Sequence, residues 1–324
     1  MNDRKLPGLA RALDEEAMRV LFAATLGREP DQEEKFFSQV RCRVLKHAPG
    51  KRCVIAYELN GGAAAPRRLI GKIYRKNRGE IIFAQWRQLW QAARENEARH
   101  GEPFGMPEPL AYLPELGMVL QSVIPGRQLA AFSERDDRRA ALCSVARNLA
   151  ALHGLPVAVG EKKTLDDHLK KYCHPGPQVL SEACPELAPL VEMILHGLAT
   201  DRRLSEAPFC PAHGDLNLAQ IFIAGGRAGF IDFDGLCLAH PALDLGNFLV
   251  TLQVRFGADY ETLAEVFLEE YKACRSPRML TGLRSYQAFA YLRRAVICTR
   301  APAVPDWRQQ VRQLLEAGSA FLEK

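Results

Sequence analysis

The sequence predicts an α+β chain in two parts, a small part built on antiparallel strands and a larger, mostly helical part. Two observations carry this expectation. Before Pro125, short apolar runs of strand length alternate with turns rich in Gly and Pro. After it, apolar residues recur at three- and four-residue intervals, with one strand-like island between Phe209 and Gly235. A chain of 324 residues, 48% hydrophobic and 25% charged, is of ordinary globular composition and long enough to build one large core or two medium ones. The expected division is 1–124 and 125–324.

The elements follow in order. Leu13, Ala17, Val20, Leu21 and Ala24 predict a helix over Leu9–Leu26, with Gly27 as its stop and a connector over Asp31–Phe37. RCRVLKHAPGKRCVIAYEL reads as a hairpin turning at Pro49 and Gly50. The turn NGGAAAPRR then leads to a third strand, RLIGKIYRK. Ile82, Phe83, Trp86, Leu89 and Trp90 form the apolar stripe of a helix over Gly79–Arg99, which Pro103, Pro107 and Pro109 prevent from continuing. Strands are expected at Pro109–Leu113 and Met118–Val123, then a hinge at Pro125 and Gly126.

Helices are expected at Arg138–Leu152, Leu165–Tyr172, Leu187–Thr200, Leu243–Phe256, Asp259–Cys274, Leu283–Thr299 and Asp306–Leu322. The island holds two short strands, Ala219–Ile223 and Ala228–Phe233, around a Gly225–Gly226 turn.

Composition excludes several classes. No apolar run approaches a membrane span, and MNDRKLPGLAR lacks a signal-peptide core. The net charge of +5 is mild and no basic block suggests nucleic-acid binding. Nine scattered cysteines without a CxxC pair fit a reducing cytoplasm better than a disulfide scaffold or zinc site. GxGxxG at the first turns, GxxxxGK[ST] and GxSxG are all absent.

The chemistry-bearing residues concentrate in the island. Asp232 and Asp234 alternate with Ile231 and Phe233, so a strand there would put both carboxylates on one face. The hairpin would bring Asp215 and Gln220 near Asp232. Such an oxygen-rich set suits magnesium rather than zinc. Spacing alone leaves open that Asp215 caps a turn. His213 reads as a buried histidine holding the loop. Lys72 is a cation inside an apolar strand: either a snorkelling side chain at a sheet margin or a point charge for phosphates. The Pro49–Gly50 turn reads as a plain hairpin turn rather than a nucleotide lid.

The order HGDLNLAQIFI, GFIDFDG, HPALDLGNF resembles the aminoglycoside phosphotransferase and choline kinase group, from about Val40 to about Arg300. That group has a protein-kinase-like, two-lobed fold. The resemblance implies an ATP- and Mg2+-dependent phosphotransferase acting on a hydroxyl of a small molecule. It implies Asp215 as the catalytic aspartate, Asp232 as a magnesium ligand, and Asp234 near a second metal or holding the loop. Lys72 would touch the α- and β-phosphates, with Glu80 as its acidic partner and Glu95 or Glu97 as alternatives. Gln121–Val123 would be the hinge, presenting backbone to adenine, and Asp244 would tie a helix start to the catalytic loop. The chain departs from the pattern at Gln220, where the metal-binding position is usually Asn, at Asn217, and at His240 and Gly246, where Asp and Ala are usual. The Gln220 and Asn217 departures keep open a second reading, a kinase-like nucleotide- or metabolite-binding protein with weak turnover. The helices after Leu243 are expected to supply the acceptor site, with Tyr286, Tyr291, Arg293 and Arg294 as candidates.

Overall fold

A computed structural model describes residues 3–26, 37–61, 67–101, 103–133, 136–174, 176–206, 208–300 and 305–322. Gly27, the connector residues 31–36 and residues 62–66 of the second turn lie outside the described residues. The chain divides into two compact units, residues 1–91 with 106–125 and residues 92–105 with 126–324.

In the first unit the N-terminal helix is broken in two, α1 (Leu9–Ala12) and α2 (Glu15–Leu26). The cause is Asp14, whose Oδ1 accepts the N–H groups of Glu16 (3.1 Å) and Ala17 (3.0 Å) and so starts a new helix. Three strands follow, β1 (Gln39–Ala48), β2 (Arg52–Asn60) and β3 (Arg67–Tyr74), then helix α3 (Arg78–His100) and strands β4 (Pro109–Leu113) and β5 (Met118–Ser122). They form one antiparallel sheet in the order β1-β2-β3-β5-β4. At the β1–β2 turn Gly50 has φ +67°, a conformation glycine adopts without strain. Asp3 braces that turn, accepting from Gly50 N at 2.7 Å.

Burial along β2 alternates strictly, and its buried residues Cys53, Ile55, Tyr57 and Leu59 pack with Leu69, Ile73, Met118 and Leu120 beneath α1 and α2. Tyr57 joins the layers: its hydroxyl donates to Ala12 O at 2.7 Å, and its ring meets Phe22 edge-on at 5.0 Å.

The second unit is mostly helical. Its elements are β6 (Arg127–Gln128), α4 (Arg138–Gly154), α5 (Leu165–Tyr172), α6 (Gln178–Ala183), α7 (Ala188–Thr200), β7 (Cys210–Ala212), β8 (Ile221–Ala224), β9 (Arg227–Phe230), β10 (Cys237–Ala239), α8 (Ala242–Phe256), α9 (Tyr260–Cys274), α10 (Leu283–Arg300) and α11 (Trp307–Ser319). The short β6, β7 and β10 and the single-turn α6 carry too few residues for periodicity to reveal. Strands order as β6-β8-β9 and β10-β7. Helix α10 is buried along most of its length, through Tyr286, Phe289, Leu292 and Val296. Tyr286 and Tyr291, open candidates for the acceptor site, are 2% exposed. Gly246 on α8 explains its own identity: a Cβ there would sit 2.8 Å from the Tyr286 carbonyl carbon, so Ala would force α8 off α10.

Two histidines in this core carry a cost on acidification. His168 is fully buried, stacks on Tyr172 at 5.8 Å, and neither ring nitrogen has a hydrogen-bond partner among the described residues. Burial, then Lys171, lowers its pKa to about 4, and burial lowers that of His240 to about 4. In the unfolded chain both take up protons near pH 6.5. Their contribution to stability is therefore complete above pH 6.5 and is lost as pH falls from there toward 4. The urea midpoint should decline between pH 6.5 and 5. His168→Phe should flatten the decline by about 1.4 kcal/mol per pH unit, measured by urea unfolding at a series of pH values.

Candidate active site

Two segments of the second unit carry the site. One runs from the end of β7 to the start of β8, His213 to Gln220; the other joins β9 to β10, Ile231 to Leu236. Paired strands close them at both ends. Ala212 faces Cys237 across β7 and β10, and Ile221 faces Phe230 across β8 and β9. The Ile231 N–H donates to Gln220 O at 2.9 Å, which continues the β8–β9 ladder to the residue beside Asp232. The Gly225–Gly226 turn, with φ +53° and +73°, makes this hairpin tight.

Asp244, in the first turn of α8, holds the first segment. Its Oδ2 accepts His213 N at 2.7 Å and its Oδ1 accepts Gly214 N at 2.8 Å. His153 Nε2 lies 3.3 Å from Oδ2, and His153 Nδ1 lies 2.8 Å from the Tyr271 hydroxyl. Asp244 is fully buried. Burial pushes its carboxyl up, but the hydrogen bond and charge of His153 and the charge and backbone N–H of His213 outweigh this and hold it below the ordinary range. Gly214 takes φ +79°, and a Cβ there would stand 2.3 Å from Gly235 O, so only glycine fits.

His213 is buried and structural. Its Nε2 lies 2.9 Å from Ile231 O, and a carbonyl only accepts, so Nε2 carries the hydrogen. The bond ties the first segment to the second.

Asp215 follows, with its side chain 35% exposed and paired to the Arg293 guanidinium of α10. Arg293 lies over the Tyr172 ring, 4.0 Å from its centroid, and the Tyr172 hydroxyl donates to Gly214 O at 2.8 Å. Tyr172, α10 and the loop thus orient one carboxylate. The sequence offered Arg293 only as one of several residues near the acceptor; no spacing signalled Tyr172, because α5 and α10 meet the loop only in three dimensions.

Asn217 and Gln220 shape the short turn Leu218–Gln220. Asn217 Oδ1 accepts Ala219 N at 3.0 Å, and Gln220 Oε1 accepts Asn217 N at 3.0 Å. The Gln220 amide oxygen is therefore engaged within its own loop.

The strand expected through Asp232 and Asp234 ends earlier, at Phe230. Asp232 adopts the left-handed conformation, φ +72° and ψ +53°, and Phe233–Gly235 form a 3-10 turn. The period-two reading fails there because Phe233, 2% exposed, turns into an aromatic cluster with Phe104 and His213. A non-glycine residue in this region costs about 1–3 kcal/mol and persists only where its surroundings impose it. The side chains of Gln220, Asp232 and Asp234 offer oxygen donors. Among the described residues no group of three His, Cys, Asp or Glu side chains forms a metal cage. A few oxygens without a cage fit Mg2+, which takes one or two carboxylates and completes its shell from water and phosphate.

In the first unit Lys72 lies on the central strand β3, opposite Val54 and Val119, and is 5% exposed, not at a sheet margin. It shares a face with Gln121, also buried, whose Oε1 has no partner among the described residues. Val123, just beyond β5, is 42% exposed. Glu80 is exposed in the first turn of α3. Glu97 pairs with Arg94 at 2.7 Å.

Beside Asp215 opens a cavity of about 380 Å³, walled by α8 and α10. Besides Asp215, Asn217, Asn247, Thr251, Arg255, Arg293 and Arg294 supply its polar lining.

Residues 57–289 match the model of the phosphotransferase enzyme family, and the chain belongs to that family. Its fold is the protein-kinase-like α+β fold of the aminoglycoside phosphotransferases and choline kinases. No curated protein matches the sequence. Among solved structures, the chain is similar to a thermostable mutant of aminoglycoside phosphotransferase APH(4)-Ia in its apo form, with TM-score 0.62, 16% identity, and coverage of 87% of this chain and 95% of that one. It is similar to a choline/ethanolamine kinase family protein from Mesorhizobium loti, with TM-score 0.56, 18% identity and 95% of each chain covered. The streptomycin–ATP ternary complex of APH(2'')-IIa matches with TM-score 0.56, 14% identity, and coverage of 96% of this chain and 98% of that one. No helix among the described residues is long and apolar enough to cross a membrane.

The Asp244 clamp makes a direct prediction. Asp244→Asn keeps the size but turns an amide N–H toward backbone donors, and removes charge from two hydrogen bonds. It should cost about 3 kcal/mol in urea unfolding, with far-UV circular dichroism unchanged at zero denaturant.

Proposed function

We propose that the protein transfers the γ-phosphoryl group of ATP to a hydroxyl of a small molecule, with Asp215 as the catalytic aspartate. The observation that carries this reading is the placement of Asp215. Its loop is clamped by Asp244, its carboxylate is oriented by Arg293, and it opens on a cavity large enough for a small acceptor. Phosphoryl transfer asks a protein chiefly for positioning and charge neutralisation, which such a rigid carboxylate serves.

In this reading Asp215 accepts the hydrogen bond of the acceptor hydroxyl and holds its oxygen in line with the phosphorus. Asp232, with Asp234 and the remaining lone pair of Gln220, would hold Mg2+, which when bound neutralises charge on the phosphate oxygens. Lys72 would contact the α- and β-phosphates, and its burial keeps it from exchanging that contact for water. Backbone groups of Gln121 to Val123 would meet adenine. A bound ATP in the structurally similar APH(2'')-IIa complex supports the choice of nucleotide.

A second reading, a nucleotide or metabolite binder with weak turnover, is favoured by one observation: Gln220 Oε1 already accepts Asn217 N. Two variants separate the readings. Asp215→Asn should keep Mg-ATP binding and lose acceptor-dependent ADP release by 100-fold or more. Asp232→Asn should lose the magnesium-dependent part of nucleotide binding, measured by thermal shift with and without Mg2+. Full turnover in both variants would sink the kinase reading. Mg-ATP binding without ADP release in the wild type, over a broad acceptor panel, would favour the second.

A further inference from the structure

The cavity beside Asp215 is cationic. Arg255, Arg293 and Arg294 line it, and among the described residues lining it Asp215 carries the one carboxylate. The three arginines are not in the same state. Arg293 is paired with Asp215. Arg255 is engaged with the carbonyls of Ala130 and Phe132, each at 3.0 Å. Arg294 forms no hydrogen bond or ion pair with any described residue, although it is only partly exposed. Burial lowers its pKa from the ordinary value, but a guanidinium stays charged at any physiological pH. A half-buried charge without a counter-charge is unfavourable until an anion supplies one.

A second group in the same wall points to a ligand. Asn247, on α8, is 5% exposed and lines the cavity, and its Nδ2 has no partner among the described residues. It is a buried, unpartnered donor in the wall that Arg294 also borders. Arg294 further lines an adjoining cavity of about 350 Å³ with Gln253, Gln310 and Gln313, again without a carboxylate among the described lining residues. Val254 and Ile297, 49% and 46% exposed, border both cavities and offer an apolar rim.

We infer that the acceptor is a small hydroxyl compound carrying its own anionic group, a carboxylate or a phosphate, bound by Arg294 and Asn247 while its hydroxyl meets Asp215. This rests on the phosphotransferase reading above and specifies the substrate class of that site. A polycationic or quaternary-ammonium acceptor is disfavoured, because it would leave Arg294 unpaired and bring like charges together.

The test is acceptor-dependent ADP release with Mg-ATP over three matched sets: anionic hydroxyl compounds (hydroxy acids and sugar phosphates as separate arms), neutral polyols and sugars, and aminoglycosides with amino alcohols. The expected result is kcat/KM at least tenfold higher for the best anionic acceptor than for the best of the other sets. The carboxylate and phosphate arms show which anion the site takes. Arg294→Gln should raise KM for that acceptor about tenfold or more with a smaller change in kcat, and Arg294→Lys should restore part of the loss. Arg312→Gln, a surface charge removed from α11 outside both cavities, should leave KM unchanged. If Arg294→Gln folds poorly, the wild type still decides: KM for an anionic acceptor must rise with ionic strength while KM for a neutral one does not. Preferred turnover of neutral or cationic acceptors, or no effect of salt or Arg294 on KM, overturns the anionic class and leaves the phosphotransferase reading standing. Absence of Asp215-dependent ADP release with every set overturns that reading, and the inference falls with it.

Discussion

Two backbone N–H groups, those of His213 and Gly214, end on the two oxygens of one fully buried carboxylate, Asp244. They are the two backbone bonds that fix the start of the loop carrying Asp215. It leaves a strand of three residues, passes through a left-handed glycine and enters a 3-10 turn, so little regular backbone bonding supports it. Asp244 belongs to α8, and α8 packs closely on α10 at Gly246. Through α10 the same packing places Arg293 against Asp215. One carboxylate thus fixes the loop's path while the helix that bears it indirectly sets the loop's charge environment.

The polar groups at this site divide by function. Asp244, His213 and Tyr172 are spent on the backbone of the loop. Asn217 and Gln220 close the short turn after it. What is left to line the cavity is Asp215 with Arg293 and, further along the same wall, Arg294 and the buried Asn247. A site in which most polar groups hold the frame and a few face the ligand is the arrangement that preorganisation requires. The departure at Gln220 fits this frame: its longer side chain reaches back to Asn217 N, a bond made inside the loop rather than toward a ligand.

Much of this was legible in the residues. The three-strand meander, the long helix after it and the helices of the second half follow from apolar periods of two and of three to four, because burial of one face imposes those periods. Asp215 and Asp232 stood out because carboxylates beside Ile, Phe and Leu need partners. The split of the first helix at Asp14 was missed, since a cap uses one side chain and leaves the apolar spacing intact. The strand drawn through Asp232 was too long, because Ile231 and Phe233 keep their alternation even where the backbone turns left-handed at the aspartate between them. Glu80 was a choice by proximity in sequence, and it lies exposed in the first turn of α3.

The sequence by itself determined the fold class, the family and the loop proposed to carry the chemistry, because these depend on local periodicity and on residues close together along the chain. Only the tertiary structure decided which charges meet. Tyr172, Asp215, Asp244 and Arg293 come from segments far apart in sequence, and nothing local marks an arginine as paired or unpaired. The contrast between Arg293, held by Asp215, and Arg294, its neighbour without a counter-charge among the described residues, is set by a one-residue rotation about α10 and by what each side chain then faces.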